Sequence, residues 1–396
     1  MTSSKKKLLF LLIILTPSFF INYFTLTIID HDNNLSLFST ILVIIFNLLN
    51  LFFAYIYYKY SFKVLFFFLI YCFILAIFFD FISEKLFNKN SIIKESNSVG
   101  WVLKANKNVN FKQQTLHGEK YTSNFRSSKK AGFREFGNPN SFKKKILIIG
   151  DSYTGGPYSS NEKMYYSFVK DNLKKNDLDY EWFVMGAGGY GTAQQIILLK
   201  ENYDEIKPDI VLHQFCVNDF FDNSIRIGNL STSHSQYYRR PFIIDDKILK
   251  VDTLYSKIYR FLFKYSFMFK KFDQIYIYKK FREFGRYEGI ISEELIDESV
   301  VITNKLIFEM RKIIGEETLY FSTNCVDDKY TKLSEYWERI VINVSGYPLT
   351  KPSEILLEMK KKGKDVMHED GGHLNDYGNM IYGKIISEEL LKNLKR

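Results

Sequence analysis

The apolar run Ile146-Leu147-Ile148-Ile149, ending directly in Gly150-Asp151-Ser152, constrains this chain more than any other stretch. A continuous apolar run closed by a turn signal reads as a strand buried on both faces, the signature of a parallel sheet. The pattern then alternates, with a helix from about Lys163 to Lys175, a strand Trp182 to Met185, a helix Ala193 to Glu205 and a strand Ile210 to Phe215. It breaks at Phe220 and resumes with a helix from Ser292 to about Ile314, a strand Thr318 to Ser322, a helix Lys329 to Ile342 and a last helix from Asp376. Strands alternating with helices of this length predict an α/β domain over 144–396 whose parallel sheet is covered on both faces. Residues of about 222–290 form an insertion in it, and 84–143, rich in Ser, Asn, Lys and Gly, read as a linker followed by short edge strands.

The first 83 residues are of another kind. After Lys5-Lys6-Lys7, apolar runs cover Leu8 to about Ile29, Leu37 to Tyr58 and Lys63 to Phe81. Each is long enough, at about 1.5 Å per helical residue, to cross a hydrocarbon layer of about 30 Å. The first run is too long for a signal peptide and has no small-residue cleavage site. A three-span membrane anchor is expected. Lys5, Lys6, Lys7, Lys59 and Lys63 belong on the cytoplasmic side, with Asp30 and Asp32 outside. An odd number of spans then puts everything after Glu84 on the extracytoplasmic side.

The formal net charge of +10 would fit nucleic acid, an anionic membrane surface or an acidic glycan. Its location separates these. Between Tyr237 and Arg286 thirteen Lys or Arg face five Asp or Glu, so the excess sits mainly in the insertion. Apolar positions 254, 258, 261, 262, 265, 268, 272, 275 and 276 recur there at helical spacing, with Lys257, Arg260, Lys264 and Lys271 on another face. Such helices either pack on the domain or act as a lid or an interfacial element on anionic headgroups. Nucleic acid is not an expected partner outside a membrane. The three cysteines, Cys72, Cys216 and Cys325, show no metal spacing and allow at most one bridge, Cys216 to Cys325. Two buried reduced thiols are the simpler expectation.

Four clusters fall where a parallel sheet collects reactive groups, at the carboxyl ends of strands or just before the last helix. They are Gly150-Asp151-Ser152, Gly186-Ala187-Gly188-Gly189-Tyr190-Gly191-Thr192, Val217-Asn218-Asp219 and Asp370-Gly371-Gly372-His373. Alone, each has a plainer explanation as a turn, a helix cap or a surface pair. The glycine cluster lacks Gly-Lys-Ser/Thr and is no nucleotide loop, and no cofactor or metal is expected.

Taken together, the four clusters resemble the blocks of the SGNH (GDSL-like) hydrolase family, over about 144–396 without the insertion. That resemblance implies a three-layer α/β/α domain of flavodoxin-like type and acyl transfer from an oxygen ester. It implies Ser152 as nucleophile, His373 as base and Asp370 as its orienting acid, the roles a weak hydroxyl nucleophile requires. It also implies an oxyanion hole from the Ser152 and Gly189 backbone N–H groups and the Asn218 amide. Cys216 stands where the family usually has glycine, and Val184-Met185 where an Asn often precedes the second block. Asp365-Val366-Met367-His368 also has Asp-x-x-His form, but Asp370-Gly-Gly-His373-Leu374-Asn375 with its following helix favours the later pair. The acceptor is water, for an esterase, deacetylase or lipase, or a sugar hydroxyl, for an O-acyltransferase of envelope polysaccharide. A catalytically idle glycan-binding domain is the remaining alternative. The expected substrate is thus an acylated small molecule, lipid or glycan.

Overall fold

A computed structural model describes residues 62–87, 91–230, 234–284, 291–325, 331–345 and 351–394, together with 44, 47–52, 54 and 55. The described residues divide into two compact units. One draws on 90–261 and 283–396, the other on 1–89 and 262–282.

Among its described residues the larger unit contains eleven strands, β1 (Ile93–Ser96), β2 (Gly100–Leu103), β3 (Asn108–Gln114), β4 (Lys120–Arg126), β5 (Phe133–Phe136), β6 (Lys145–Gly150), β7 (Glu181–Gly186), β8 (Ile210–Phe215), β9 (Pro241–Ile244), β10 (Lys247–Lys250) and β11 (Leu319–Asn324). Five of them form one sheet in the order β11-β8-β6-β7-β5. The first four run parallel, and β5 closes the edge antiparallel to β7. The parallel strands thus follow a doubly wound order, with the switch point beside β6.

β6 shows why the apolar run is continuous. Ile146 and Ile148 pack with Tyr165, Val169, Tyr382 and Ile386 on one face, whereas Leu147 and Ile149 pack with Leu199 and Met310 on the other. All four β6 side chains are fully buried, each contributing about 1.5–3 kcal/mol. Helices Tyr165–Lys175, Pro352–Lys361 and Asp376–Leu394 cover the first face, and Thr192–Ile206 and Glu293–Ile314 cover the second. The last of these is specified locally at both ends. Ser292 Oγ accepts from the Leu295 N–H, Glu293 and Glu294 occupy the first turn, and Arg311 and Lys312 occupy the last. Each choice suits the helix dipole and its unpaired end groups.

Short strands occupy 93–136 as hairpins and an edge strand, and their Val99, Trp101, Leu103, Phe125 and Phe133 enter the core of the sheet, so the compact unit includes them. One expectation needs correction: Cys216 and Cys325 are joined as a disulfide instead of lying as two thiols. The reason is register: Phe215 of β8 pairs with Asn324 of β11, which sets the next residue of each strand side by side, with Cα atoms 4.9 Å apart.

In the smaller unit the helix Phe62–Phe87 exposes Phe66, Phe67, Phe73, Ile74, Ile77 and Phe78. Its Asp80 carboxylate accepts from the backbone N–H groups of Phe267 and Met268, at 3.0 and 2.7 Å, and from Ser266 Oγ. It therefore caps the helix Phe267–Phe284 of the insertion. Among the described residues no helix is long and apolar enough to cross a membrane. The expected span Leu8 to Ile29 lies outside the described residues, as does Leu37 to Tyr58 apart from the helical positions 44, 47–52, 54 and 55.

Candidate active site

Three loops at the carboxyl ends of β6, β7 and β8 and one loop before the last helix carry the candidate residues. After β6, Asp151 Oδ1 accepts from the Tyr153 N–H at 2.9 Å and starts the four-residue helix Ser152–Gly155. The Asp151 carbonyl takes the N–H groups of Thr154 and Gly155. This turn packs backbone against backbone. A Cβ on Gly155 would stand 2.2 Å from the Gly186 carbonyl oxygen, so glycine is required there.

The loop 367–374 is pinched shut by a bridge between Met367 and Leu374 and by the His368 N–H on the His373 carbonyl, at 2.7 Å. Within it Asp370 Oδ1 accepts from the backbone N–H groups of Gly372 and His373, both at 3.0 Å. Its Oδ2 holds His373 Nδ1. The far nitrogen, Nε2, then lies 2.8 Å from Ser152 Oγ. This network assigns the proton on Nδ1 to the Asp370 bond and leaves Nε2 to accept from the serine.

Burial works against the Asp370 charge, but the His373 hydrogen bond and charge, with the two backbone donors, outweigh it and hold the carboxyl down at about 2. Tyr158 stacks on the His373 ring, with centroids 3.8 Å apart and planes at 13°, and the Tyr153 ring lies tilted to it with centroids 5.7 Å apart. The imidazole is therefore held from three sides.

His368 is placed elsewhere. Its ring bonds the Tyr121 hydroxyl at 2.9 Å and faces the Gln114 carbonyl at 3.3 Å, and burial pushes its pKa down. Asp365 accepts from the His117 backbone N–H and the Asn375 amide. The pair Asp365 and His368 thus makes no line to Ser152.

On the neighbouring loops, a Cβ on Gly188 would sit 3.9 Å from Ser152 Cβ, so the glycine cluster lies against the serine. Gly189 has φ of +73°, and a Cβ there would come within 2.8 Å of the Gln236 amide. The positive φ selects glycine, whereas the Gln236 amide is the movable end of a side chain. Asn218 opens the helix Asn218–Asn223 and donates one amide N–H to Asp222 Oδ2 at 3.1 Å. Its second N–H is available to another acceptor. Beside it Asp219 is fully buried, and burial and the Asp151 charge push its carboxyl well up.

Tyr158, Trp101, Asp222 and Arg240 escaped the sequence reading. Asp222 alone carried a local signal, four residues after Asn218 on one helix face.

No family model matches the chain. No curated protein matches it significantly. Solved structures that resemble it include a lipase/acylhydrolase from Enterococcus faecalis, 15% identical over 63% of this chain and 96% of that one, with a TM-score of 0.36. The psychrotrophic esterase EstA from Pseudoalteromonas sp. is 12% identical over 64% of this chain and 100% of its own, TM-score 0.39. A Clostridium thermocellum family 3 carbohydrate esterase is 13% identical over 64% and 97%, TM-score 0.37. Likeness of this degree says nothing about chemistry, for which the geometry of Ser152, His373 and Asp370 is the guide.

Proposed function

We propose that the chain is a membrane-anchored serine hydrolase of the SGNH type that cleaves oxygen esters through an acyl-serine intermediate. The observation that carries this reading is the unbroken line from Ser152 Oγ through His373 to the ionised Asp370. In it, His373 Nε2 takes the hydroxyl proton as Oγ attacks the ester carbonyl, and the imidazolium returns that proton to the leaving alcohol. Asp370 holds the tautomer and stabilises the imidazolium. The Ser152 and Gly189 N–H groups and the free N–H of the Asn218 amide meet the tetrahedral oxyanion. Water, activated by the same imidazole, then releases the acid from Ser152.

Two features support a catalytic unit outside the cytoplasm. One is the clustering of lysines before the first apolar run and between the second and third. The other is the Cys216–Cys325 disulfide, a bond that persists in oxidising compartments. The anchor itself rests on the apolar runs of the first 83 residues and on the exposed aromatic surface of helix Phe62–Phe87.

The test is a rapid-mixing assay of the full chain in detergent with p-nitrophenyl acetate. A burst of about one nitrophenol per active site, absent in Ser152→Ala, is expected from an acyl-serine intermediate. A burst of the same size in Ser152→Ala would contradict the reading. Adding a glycan acceptor separates the two fates of the acyl group, since an O-acyltransferase would yield acylated sugar in place of free acetate.

A further inference from the structure

Arg240, from the insertion, is buried to 3% exposure beside the two loops that supply the outer oxyanion donors. Every one of its five N–H groups has an acceptor. Nη2 donates to the Gly189 carbonyl at 2.5 Å and to Gln236 Oε1 at 3.4 Å. Nη1 donates to Asp222 Oδ1 at 2.5 Å and to the Asp222 carbonyl at 3.4 Å, and Nε donates to Gln194 Oε1 at 3.2 Å. The guanidinium also lies 5.7 Å from the centre of the Trp101 ring. Trp101 Nε1 in turn donates to the Gly188 carbonyl at 3.0 Å.

These contacts fall on the peptides that matter. A trans peptide is planar, so its C=O and N–H point in opposite directions. Fixing the Gly188 carbonyl on Trp101 therefore fixes the direction of the Gly189 N–H. Fixing the Gly189 carbonyl on Arg240 pins the following peptide, so that Gly189 is held at its positive φ from both sides. On the other loop Asp222 uses Oδ1 for Arg240 and Oδ2 for Asn218 Nδ2, which sets the plane of the Asn218 amide.

We infer that Arg240 and Trp101 form a clamp that aims both outer oxyanion donors, the Gly189 N–H and the Asn218 amide, at the substrate carbonyl. They are positioning residues, and the inference rests on the ester-cleaving reading above. A lysine would not replace the arginine. Its single ammonium can neutralise Asp222 but cannot span to the Gly189 carbonyl in the same planar fork.

The experiment uses the full chain in detergent, with active sites titrated to end point by a fluorophosphonate and turnover of p-nitrophenyl acetate expressed per titrated site. Arg240→Met and Trp101→Phe should lower kcat per site by about 10- to 100-fold, somewhat less than the loss of an oxyanion donor itself. KM should stay within about threefold, because the donors act on the transition state and not on bound ester. Arg240→Lys should recover thermal stability without recovering kcat. A purely structural Arg240 would lower the melting temperature and the titrated fraction while leaving kcat per site unchanged, and that result would overturn the inference. If both Arg240 variants fail to fold, Trp101→Phe decides, since it keeps an aromatic ring in place, although a smaller one, and removes the donor to the Gly188 carbonyl. Unchanged kcat per site in that variant also overturns the clamp. Wild-type protein that neither labels nor turns over ester refutes the ester reading itself and leaves the clamp no hole to serve.

Discussion

His373 Nε2 lies 2.8 Å from Ser152 Oγ although 221 residues of chain separate them. Two turns built from neighbouring backbone bring this about, the Asp151 turn after β6 and the Asp370 turn before the last helix. Neither depends on the other for its own geometry. The site is thus assembled by docking two locally determined loops on one sheet.

The Asp370 turn has two separable functions. In Asp370→Asn the side-chain oxygen can still accept from the Gly372 and His373 N–H groups, so the turn should survive and the melting temperature should fall only by what the charge contributes. The ring would lose its carboxylate partner, and turnover should fall by roughly 10³ to 10⁴. The native carboxyl is held down at about 2, below its usual 3.8. A depressed carboxyl contributes stability that is present above the unfolded value and lost as pH falls toward the folded one. Asp370 should therefore stay ionised down to about pH 2–3, and activity lost between pH 6 and 4 should not trace to its protonation. A pH titration by NMR of the labelled carboxyl checks this.

Asn218→Ala removes the proposed oxyanion donor and also the partner of Asp222 Oδ2. Turnover per active site should drop by about 10² to 10³. KM for p-nitrophenyl acetate should be nearly unchanged.

A second histidine governs acid stability. His213 is fully buried between the Tyr320 hydroxyl at 2.7 Å and Gln195 Oε1 at 2.9 Å, and burial pushes its pKa down to about 3. Because the folded value is below the unfolded one, the unfolded chain binds the extra proton between them. This group's contribution is whole above about pH 6.5 and shrinks by about 1.4 kcal/mol per pH unit as pH falls toward 3. His213→Gln should lower stability at pH 7 yet flatten its decline below pH 6, as read from urea midpoints across that range. An equally steep decline in the variant would count against this.

Topology has its own test. In cells expressing the full chain, a cysteine placed at the exposed Lys112 should react with a membrane-impermeant maleimide without permeabilisation. Reaction only after permeabilisation would place the catalytic unit in the cytoplasm and exclude an envelope substrate.

Different parts of the structure were readable in the sequence to different degrees, for physical reasons. β6 is visible because a strand buried on both faces is apolar along its buried length, and β8 shows the same signal in Ile210-Val211-Leu212 although it also buries His213 and Gln214. Ser152, Asn218, Asp370 and His373 stood out because sharp turns concentrate Gly, Asp and Asn into short recognisable groups. The sequence marks 84–143 only as linker and short edge strands because β3 and β4 alternate with polar residues and bury few positions such as Val109 and Phe125, while the fully buried β2 is just four residues long. The Cys216–Cys325 bond depends on β8 and β11 being neighbours, which is a property of strand order across 109 residues. Arg240 and Trp101 have no local signature at all. Their meaning lies in contacts 51 and 87 residues distant, to Gly189 and Gly188. Of the two Asp-x-x-His groups the sequence context already favours the later, and in the structure His368 turns to Tyr121 while His373 turns to Ser152.

The most direct test of the whole account is labelling by a fluorophosphonate, which needs the same nucleophile, base and oxyanion donors as ester cleavage. Wild type should label stoichiometrically, Ser152→Ala not at all, and His373→Ala slower by at least about 10³. His368→Ala should label at near the wild-type rate. If instead His368→Ala abolishes labelling and His373→Ala leaves it intact, the base and its orienting acid are not His373 and Asp370, and the account is contradicted.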